Sequence, residues 1–190
     1  MTMLLRNFED TPVTYPTWVE RKINGIRCLV IIRDGVGVGM SREGHVLAAA
    51  DGIAQIMAGL LPDGVYDGEL DAGTWGATQS AVKRNDGRNL CYRAWDALTL
   101  EEWALGISRC SLAQRKARLA NLLNPHRGSS RITVVKGVYA ENEHHLGAAF
   151  LQACDAGWEG VISKDPNAPY LVGQRSGAWQ KLKPGKREEW

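Results

Sequence analysis

Residues 14–33 read TYPTWVERKINGIRCLVIIR and carry both a fold signal and a chemical one. Residues 14–22 mix β-branched and aromatic side chains, and residues 26–33 are rich in valine and isoleucine. Gly25 lies between the two runs, where a tight turn is expected. The stretch therefore predicts two strands joined by a short connection, with Lys22 at the end of the first strand.

The rest of the chain alternates short strand-like runs with helical patterns. Apolar residues recur at helical spacing in residues 51–61, 112–123 and 146–154, with Asp51 placed to cap the first helix, a capping box at Ser111 and Gln114, and a stop at Gly157. The polar, glycine-bearing residues 73–88 predict a long loop. The pattern indicates an α+β fold in which antiparallel strands dominate. Further strands are predicted at residues 36–40, 64–70, 90–98, 132–139, 160–164 and 178–182.

Length and composition favour a single soluble domain over residues 1–190. The chain has 190 residues, of which 44% are hydrophobic, and this is enough for a substantial core. The apolar runs are far shorter than the roughly 18 residues of a membrane span, and the N-terminus lacks the layout of a signal peptide. The 4 cysteines lie far apart without a CxxC pair, which argues against zinc and disulfides. These features predict a reduced, cytoplasmic protein without a membrane partner.

Lys22 is the first candidate for chemistry. A lysine is ordinarily protonated and cannot act as a nucleophile, but neighbouring cations or burial favour the neutral amine. Arg27 is one such cation close in sequence. A solvated lysine at a strand end is the plain alternative.

Acidic residues are flanked by strand-like apolar runs in three places. They stand in Asp67-Gly68-Glu69, in Trp95-Asp96 and at Glu159. Because carboxylates are rarely buried without a partner, their placement suggests a cleft that holds a metal ion or sugar hydroxyls. Solubility of an edge strand is the alternative.

Positive charge gathers near the C-terminus although the net charge is only +2. Strand alternation would place Lys181 and Lys183 on the same face, where they repel each other unless a polyanion lies between them. A solvated basic end is the alternative. The same region also contains Arg175, Lys186 and Arg187.

The order of these signatures resembles a known family. The series reads KINGIR (22–27), DGEL (67–70), YRAWD (92–96), EGVISKDP (159–166) and WQKLKP (179–184). It is similar to motifs I, III, IIIa, IV and V of the covalent nucleotidyltransferases, above all the ATP-dependent DNA ligases of the small phage type. The resemblance spans residues 17–186. It implies the nucleotidyltransferase fold of a ligase adenylation domain.

The resemblance also implies a reaction. Lys22 would attack the α-phosphorus of ATP, release pyrophosphate and carry AMP, which then passes to the 5′-phosphate of a nick before the 3′-hydroxyl seals the strand. Glu69 and Glu159 take the positions that contact ribose or Mg²⁺. The other implied contacts are Glu20 with the adenine amine, Trp95 stacked on adenine, Arg42 with the ribose or nick phosphate, Arg175 with the triphosphate, and Arg27, Lys181 and Lys183 with the phosphates.

Two departures from the family pattern stand out. Asn24 replaces the aspartate that usually precedes the motif I glycine, which removes a negative charge near Lys22. Family members also continue into an OB-fold domain, whereas this sequence ends at Trp190. The resemblance therefore implies an adenylation domain whose OB-fold domain is absent from this chain, either because the sequence was cut or because the domain occurs alone.

Several functions stay open at this point. The resemblance favours a ligase that acts on nicked double-stranded nucleic acid, with DNA as the expected substrate. An RNA ligase shares the lysine motif, and Asn24 keeps that alternative open. A capping guanylyltransferase shares the chemistry, but Glu20 suits adenine rather than guanine. The non-enzymatic alternative is a catalytically silent module that keeps the fold and binds nucleic acid.

Overall fold

The computed structural model describes residues 1–124 and 131–184. Lys186 and Arg187 of the predicted basic end therefore lie outside the described residues. The strands are β1 Leu4–Asn7, β2 Thr17–Arg21, β3 Ile26–Arg33, β4 Val36–Ser41, β5 Gly64–Asp71, β6 Cys91–Leu98, β7 Ile107–Ser108, β8 Ile132–Val134, β9 Gly137–Ala140, β10 Val161–Lys164, β11 Tyr170–Leu171 and β12 Arg175–Leu182. The α-helices are α1 Asp51–Leu60, α2 Trp75–Lys83, α3 Leu100–Ala104, α4 Leu112–Leu123 and α5 Glu143–Asp155.

Two five-stranded sheets form the framework. The first has the order β1-β12-β10-β2-β9 and the second has the order β4-β3-β5-β6-β8. Only β1 with β12 and β6 with β8 pair in parallel among the described strands. The predicted α+β class with mainly antiparallel strands is therefore confirmed.

The hydrophobic run in β3 is continuous because both faces of this strand are covered. Cys28, Val30 and Ile32 belong to the core under α1, together with Ile53 and Met57 from that helix. Successive side chains of a strand point to opposite faces, so the residues between them face the other way.

The opposite face of β3 contributes to a second core. Leu29 packs in a buried cluster with Val65 of β5 and with Trp179 of β12 in the first sheet. Tyr170 of β11, which pairs with β7 in a separate two-stranded sheet, belongs to the same cluster. This cluster joins the two sheets. A third core lies under α5, where Leu146 packs with Val19 and Val161.

The long loop predicted for residues 73–88 is wrong over much of its length, because Trp75–Lys83 form α2. The Thr74 side chain accepts a hydrogen bond from the Ala77 amide at 3.2 Å and caps the helix. The helix buries only Thr78 and Ala81, so its apolar stripe is too narrow to give a helical period in the sequence.

The strand predicted over residues 132–139 is divided. Its first part is β8 in the second sheet and its last part is β9 in the first sheet. Asp51 is the first residue of α1 rather than its cap, and Ala50 precedes it without a side-chain hydrogen bond. The short elements β1, β7, β11 and α3 were not predicted. No helix within residues 1–124 and 131–184 is long and apolar enough to cross a membrane.

Candidate active site

Lys22 follows β2 directly, at the point where the chain leaves the first sheet. Its backbone amide donates to the Gly160 carbonyl at 2.9 Å, and its Nζ lies 2.6 Å from Glu159 Oε2. Lys183 contacts the other oxygen of Glu159. The Lys22 side chain is 18% exposed, so it is partly shielded but can be reached from solvent.

Glu159 is a carboxylate shared between two lysines. Partial burial by itself would raise the pKa of Glu159, but hydrogen bonds from Lys183 and Lys22 outweigh it and hold this pKa below its usual value. Gly160 permits the arrangement because its φ is 137° and a Cβ there would lie 2.0 Å from the Leu182 carbonyl oxygen. The glycine of motif IV thus lets Glu159 approach the end of β12.

Arg27 is fixed by a bidentate ion pair. Its Nε and Nη2 lie 3.0 and 2.6 Å from the two carboxylate oxygens of Asp67, and its Nη1 donates to the Met3 carbonyl at 2.7 Å. The Tyr170 hydroxyl donates to Asp67 at 2.7 Å. Although burial opposes the charge, Asp67 raises the pKa of Arg27 above its usual value, so the guanidinium stays charged. Asp67 holds Arg27 here, a role that sequence reasoning missed.

Glu69 stands on β5 opposite Arg27. Its Oε1 accepts a hydrogen bond from the Gly25 amide at 2.9 Å. Burial raises the pKa of Glu69 to about 7. Gly25 is required by close packing, since a Cβ at this position would lie 2.1 Å from the Leu70 carbonyl oxygen. The glycine of motif I therefore brings the Lys22 connection against β5.

These groups border a cleft of about 410 Å³. This volume lies within the range of small-molecule sites in proteins. The cationic lining suits a polyanion such as a triphosphate. The predicted site residues that line the cleft are Lys22, Arg27, Arg42, Glu69, Arg175 and Lys181.

Three of the cleft cations come from its rim. Arg42 is exposed and forms an ion pair with Glu43 at 2.8 Å. Arg175 donates to the Leu5 carbonyl. Among the described residues, no hydrogen bond or ion pair is found for the Lys181 side chain, which lines the cleft. Asn24, which replaces the aspartate of the family pattern, is exposed and is not among the residues that line the cleft.

Trp75 is a cleft residue that the sequence did not single out. It is the first residue of α2, it is 45% exposed, and it lines the same cleft as Arg42. Because residues 73–88 are predicted to form a loop, the sequence does not indicate which surface the Trp75 side chain faces. An exposed indole beside cations is suited to stacking on a base.

A smaller and deeper cavity of about 70 Å³ opens next to the cleft. Trp95 lies here because the pairing of β5 with β6 shifts between Asp67 and Gly68, which leaves Trp95 as the extra residue of a bulge. The cavity and the cleft share Lys22, Arg27 and Glu69. The other residues that line the cavity are Leu5, Glu20, Arg21, Ile23, Trp95, Ile162, Lys164 and Trp179.

Glu20 is held by three donors. Lys164 Nζ lies 2.5 Å from its Oε2, Trp18 Nε1 lies 2.8 Å from its Oε1, and Lys116 also contacts Oε1. Burial alone would raise the pKa of Glu20, but Lys116 and Lys164 outweigh it and keep the pKa below its usual value. Burial lowers the pKa of Lys164 to about 8. Sequence reasoning placed Glu20 in the site but missed both lysines.

Asp96 does not line the cleft, in contrast to the expectation for the three acidic signatures. Its two oxygens accept hydrogen bonds from Arg115 at 2.8 and 3.1 Å, and both side chains are fully buried. The carboxylate therefore anchors α4 to β6. Of the acidic residues predicted to hold metal or sugar, Glu69 and Glu159 remain beside Lys22.

The donor set fits Mg²⁺ with phosphate but not a metal held by protein alone. The described residues contain no group of three or more His, Cys, Asp and Glu that could hold a metal ion. Mg²⁺ typically uses one or two carboxylates together with substrate phosphates and water. Glu69 lines the cleft, and Glu159 lies 2.6 Å from the Lys22 amine although it is not among the residues that line the cleft. The two side chains supply carboxylates of this kind.

The raised pKa of Glu69 gives a pH-dependent stability. In the folded chain this carboxyl keeps its proton up to about pH 7, whereas its ordinary pKa is 4.5. The folded state therefore binds more protons between these values, so the free energy of unfolding should fall as pH rises through this window. We expect Glu69→Gln, which can still accept from the Gly25 amide, to remove this contribution.

Urea unfolding at pH 5 and at pH 8 measures the effect. The free energy of unfolding of the unchanged chain should fall from pH 5 to pH 8 by more than that of Glu69→Gln. Glu101→Gln, at an exposed position on α3, serves as the matched control and should give no such difference. Equal pH dependence of the unchanged chain and Glu69→Gln would refute the burial of this carboxyl.

Known proteins are similar to this chain over nearly its whole length, including the residues around Lys22. A family model described as ATP dependent DNA ligase domain matches residues 4–183. A probable DNA ligase of Rhodococcus jostii (strain RHA1) is 29% identical over 177 residues, which cover 87% of this chain and 33% of the relative. The chain thus spans about a third of the length of this curated relative.

Solved structures share the fold. Pmar-Lig_Pre superposes with a TM-score of 0.85 at 22% identity and covers 96% of this chain and 46% of its own. A Chlorella virus DNA ligase-adenylate superposes with a TM-score of 0.72 at 23% identity and covers 96% of this chain and 66% of its own. At these identities the likeness concerns the fold, and the predicted nucleotidyltransferase fold is confirmed.

Proposed function

Because the chain belongs to the family of ATP-dependent DNA ligase domains, we propose that it transfers AMP from ATP to Lys22 and then to the 5′-phosphate of a nicked DNA strand. The observation that carries the proposal is the position of Lys22 at the edge of a cationic cleft, within 2.6 Å of a carboxylate that it shares with Lys183. We assign the Lys22 amine as the nucleophile, because a neutral amine can form a covalent bond to phosphorus.

The first step needs the neutral amine. The lone pair of Lys22 Nζ forms a bond to the α-phosphorus of ATP, the bond between that phosphorus and the bridging oxygen breaks, and pyrophosphate leaves with the electron pair. The amine loses its proton to solvent, so atoms and charges balance. Lys183 shares the Glu159 carboxylate, so the Lys22 amine is not its sole partner.

The charged residues of the cleft orient the nucleotide and stabilise the transferring phosphoryl group. Arg27 is preorganised by its two bonds to Asp67, so it can face the developing charge without rearrangement. Lys181 and Arg175 extend positive charge along the cleft towards the leaving group. Mg²⁺ bound at Glu69 and Glu159 would neutralise phosphate charge, and we propose these two residues as its ligands.

The deep cavity is the proposed base site. Trp95 offers a large π-face there, and the Glu20 carboxylate can accept a hydrogen bond from an exocyclic amino group. Guanine presents a carbonyl oxygen where adenine presents this amino group, so an anionic acceptor favours adenine. The cavity therefore supports use of ATP rather than GTP and argues against a capping guanylyltransferase.

In the second and third steps the same amine acts as leaving group. An oxygen of the 5′-phosphate at a nick attacks the phosphorus of the lysine-bound AMP, the N–P bond breaks and Lys22 regains a proton. The 3′-hydroxyl oxygen then attacks the activated 5′-phosphorus and displaces AMP, which seals the strand. We propose nicked double-stranded DNA as the partner, and Arg42 at the exposed rim is suited to a backbone phosphate.

Intact-mass measurement of the purified chain tests the proposal. After incubation with ATP and Mg²⁺ we expect a mass gain equal to one AMP, and no such gain with GTP. Addition of nicked DNA should then discharge the adduct, whereas a nick in an RNA duplex should not. A separate OB-fold domain stays a predicted partner, and its addition in trans forms a second arm. An unchanged mass in both arms would leave a binding module as the function.

Trp75 provides a test of nucleic-acid binding that is separate from adenylylation. We expect Trp75→Ala to weaken binding of a nicked duplex about tenfold, because base stacking on an aromatic side chain contributes about 1–3 kcal/mol. Trp75→Phe should retain most of the affinity. Fluorescence anisotropy with a labelled nicked duplex measures the dissociation constants. Equal affinity of Trp75→Ala and the unchanged chain would remove Trp75 from the interface.

We also propose a cytoplasmic location. The four cysteines carry thiols rather than disulfides, which suits a reducing compartment.

A further inference from the structure

Glu20 has little acceptor capacity left for a ligand. An ionised carboxylate offers about four lone-pair positions. Trp18 and Lys116 both donate to Oε1, and Lys164 donates to Oε2. Three positions are therefore taken, and the remaining one lies on Oε2.

The donors reach Glu20 from different directions. Lys164 lines the deep cavity on the same side as Trp95, with its Nζ 5.5 Å from the centre of the Trp95 ring. Lys116 comes from α4 and lines a different groove of about 140 Å³, together with Trp18 and Tyr139. It does not line the deep cavity. Lys116 thus binds Oε1 from the side of the second groove, and Oε2 is the oxygen on the side of the deep cavity.

We infer that Lys116 is a positioning residue for base selection, which fixes the Glu20 carboxylate so that a single acceptor faces the exocyclic amino group of a purine nucleotide. This inference rests on the proposed function, because it concerns the same base site. Lys116 touches neither the cleft nor Lys22, and it acts through Glu20 alone.

The position of Lys116 explains how a buried carboxylate can be both charged and directional. Glu20 is 2% exposed, and a buried carboxylate needs compensating positive charge. Lys164 alone would supply one charge but would leave Oε1 free to rotate into the cavity. With Lys116 and Trp18 on Oε1, rotation of the carboxylate breaks two hydrogen bonds, so the orientation is fixed. A ligand amino group then meets one defined acceptor.

The test compares Lys116→Met with a matched variant of the same helix. Lys116→Met keeps a long side chain but removes the charge and the donor. Arg118→Met removes the ion pair that joins α4 to Glu102 at 2.6 Å, and it leaves Glu20 untouched. Calorimetric titration with ATP and with GTP gives dissociation constants, and single-turnover adenylylation gives the rate constant at saturating ATP.

We expect Lys116→Met to weaken ATP binding about tenfold and GTP binding less than threefold, with little change in the rate at saturation, since one charge-assisted contact orients the acceptor. Arg118→Met should leave both affinities unchanged, and Lys116→Arg should restore ATP binding. Equal loss for ATP and GTP, or the same loss in Arg118→Met, would overturn the inference. Since binding is measured apart from adenylylation, a chain that binds ATP but forms no adduct refutes only the proposed function.

Discussion

Replacement of Lys22 by arginine should abolish the covalent adduct with AMP, with a fall in rate of about 10⁴-fold or more. Arginine keeps a positive charge that can pair with Glu159, which lies 2.6 Å from the lysine amine. Its guanidinium is always protonated and has no lone pair to attack phosphorus. Lys22→Arg therefore separates the charge of this position from its nucleophilicity.

Transfer of radiolabel from α-labelled ATP to the protein measures this effect. Lys22→Ala should be equally inactive, whereas Lys136→Ala, which removes an exposed lysine between β8 and β9, should keep full activity. Calorimetry should show that Lys22→Arg still binds ATP. Persistent label in Lys22→Arg would assign the nucleophile to another residue and would overturn the proposed mechanism.

The largest expected effect on stability lies away from the cleft. Asp96→Ala should lower the free energy of unfolding by about 3–5 kcal/mol, because it leaves a buried arginine without its partner. Arg115 and Asp96 are both fully buried, and two hydrogen bonds of 2.8 and 3.1 Å join them. Arg115 also donates to the Cys110 carbonyl at 2.5 Å and to the Ala168 carbonyl at 3.1 Å. The ion pair therefore ties α4 to two further segments.

Urea denaturation monitored by tryptophan fluorescence measures this loss. The double variant Asp96→Leu with Arg115→Met should be more stable than Asp96→Ala, since it removes both charges from the interior. Asp86→Ala, which breaks an exposed ion pair with Arg88, should cost less than about 1 kcal/mol. A stable Asp96→Ala that cannot form the adduct would instead place this carboxylate in the active site.

Most of the fold was predictable because its strands and helices carry strong local patterns. The valine-rich β3, the α4 capping box at Ser111 and the glycine stop after α5 all appear where the sequence predicts them. The segment of α2 was not predictable, since a helix that buries only two residues has no clear period. The division between β8 and β9 was also hidden, because both parts have the same strand-like composition.

The sequence motifs name many of the residues that lie around Lys22 in the structure, but they do not predict the contacts among these residues. The motifs contain Glu20, Glu69 and Glu159, yet the sequence does not say which cation faces each carboxylate. Lys116 lies 96 positions from Glu20 and belongs to no motif, so only the packing of α4 brings the two together. Asp96 belongs to one of the motifs, but in the structure it forms a buried ion pair with Arg115 of α4.

The division of residues 132–139 between β8 and β9 determines how the chain connects the two five-stranded sheets. Between the described strands of the two five-stranded sheets the chain passes only twice, from β2 to β3 and from β8 to β9. The two passages are neighbours, because Glu20 at the end of β2 pairs with Gly137 at the start of β9. Two adjacent covalent links therefore join the two five-stranded sheets, and Lys22 lies on one of them. Because Lys22 lies on this connection and its amide donates to the Gly160 carbonyl at 2.9 Å, the backbone of this residue is tied to both sheets at once.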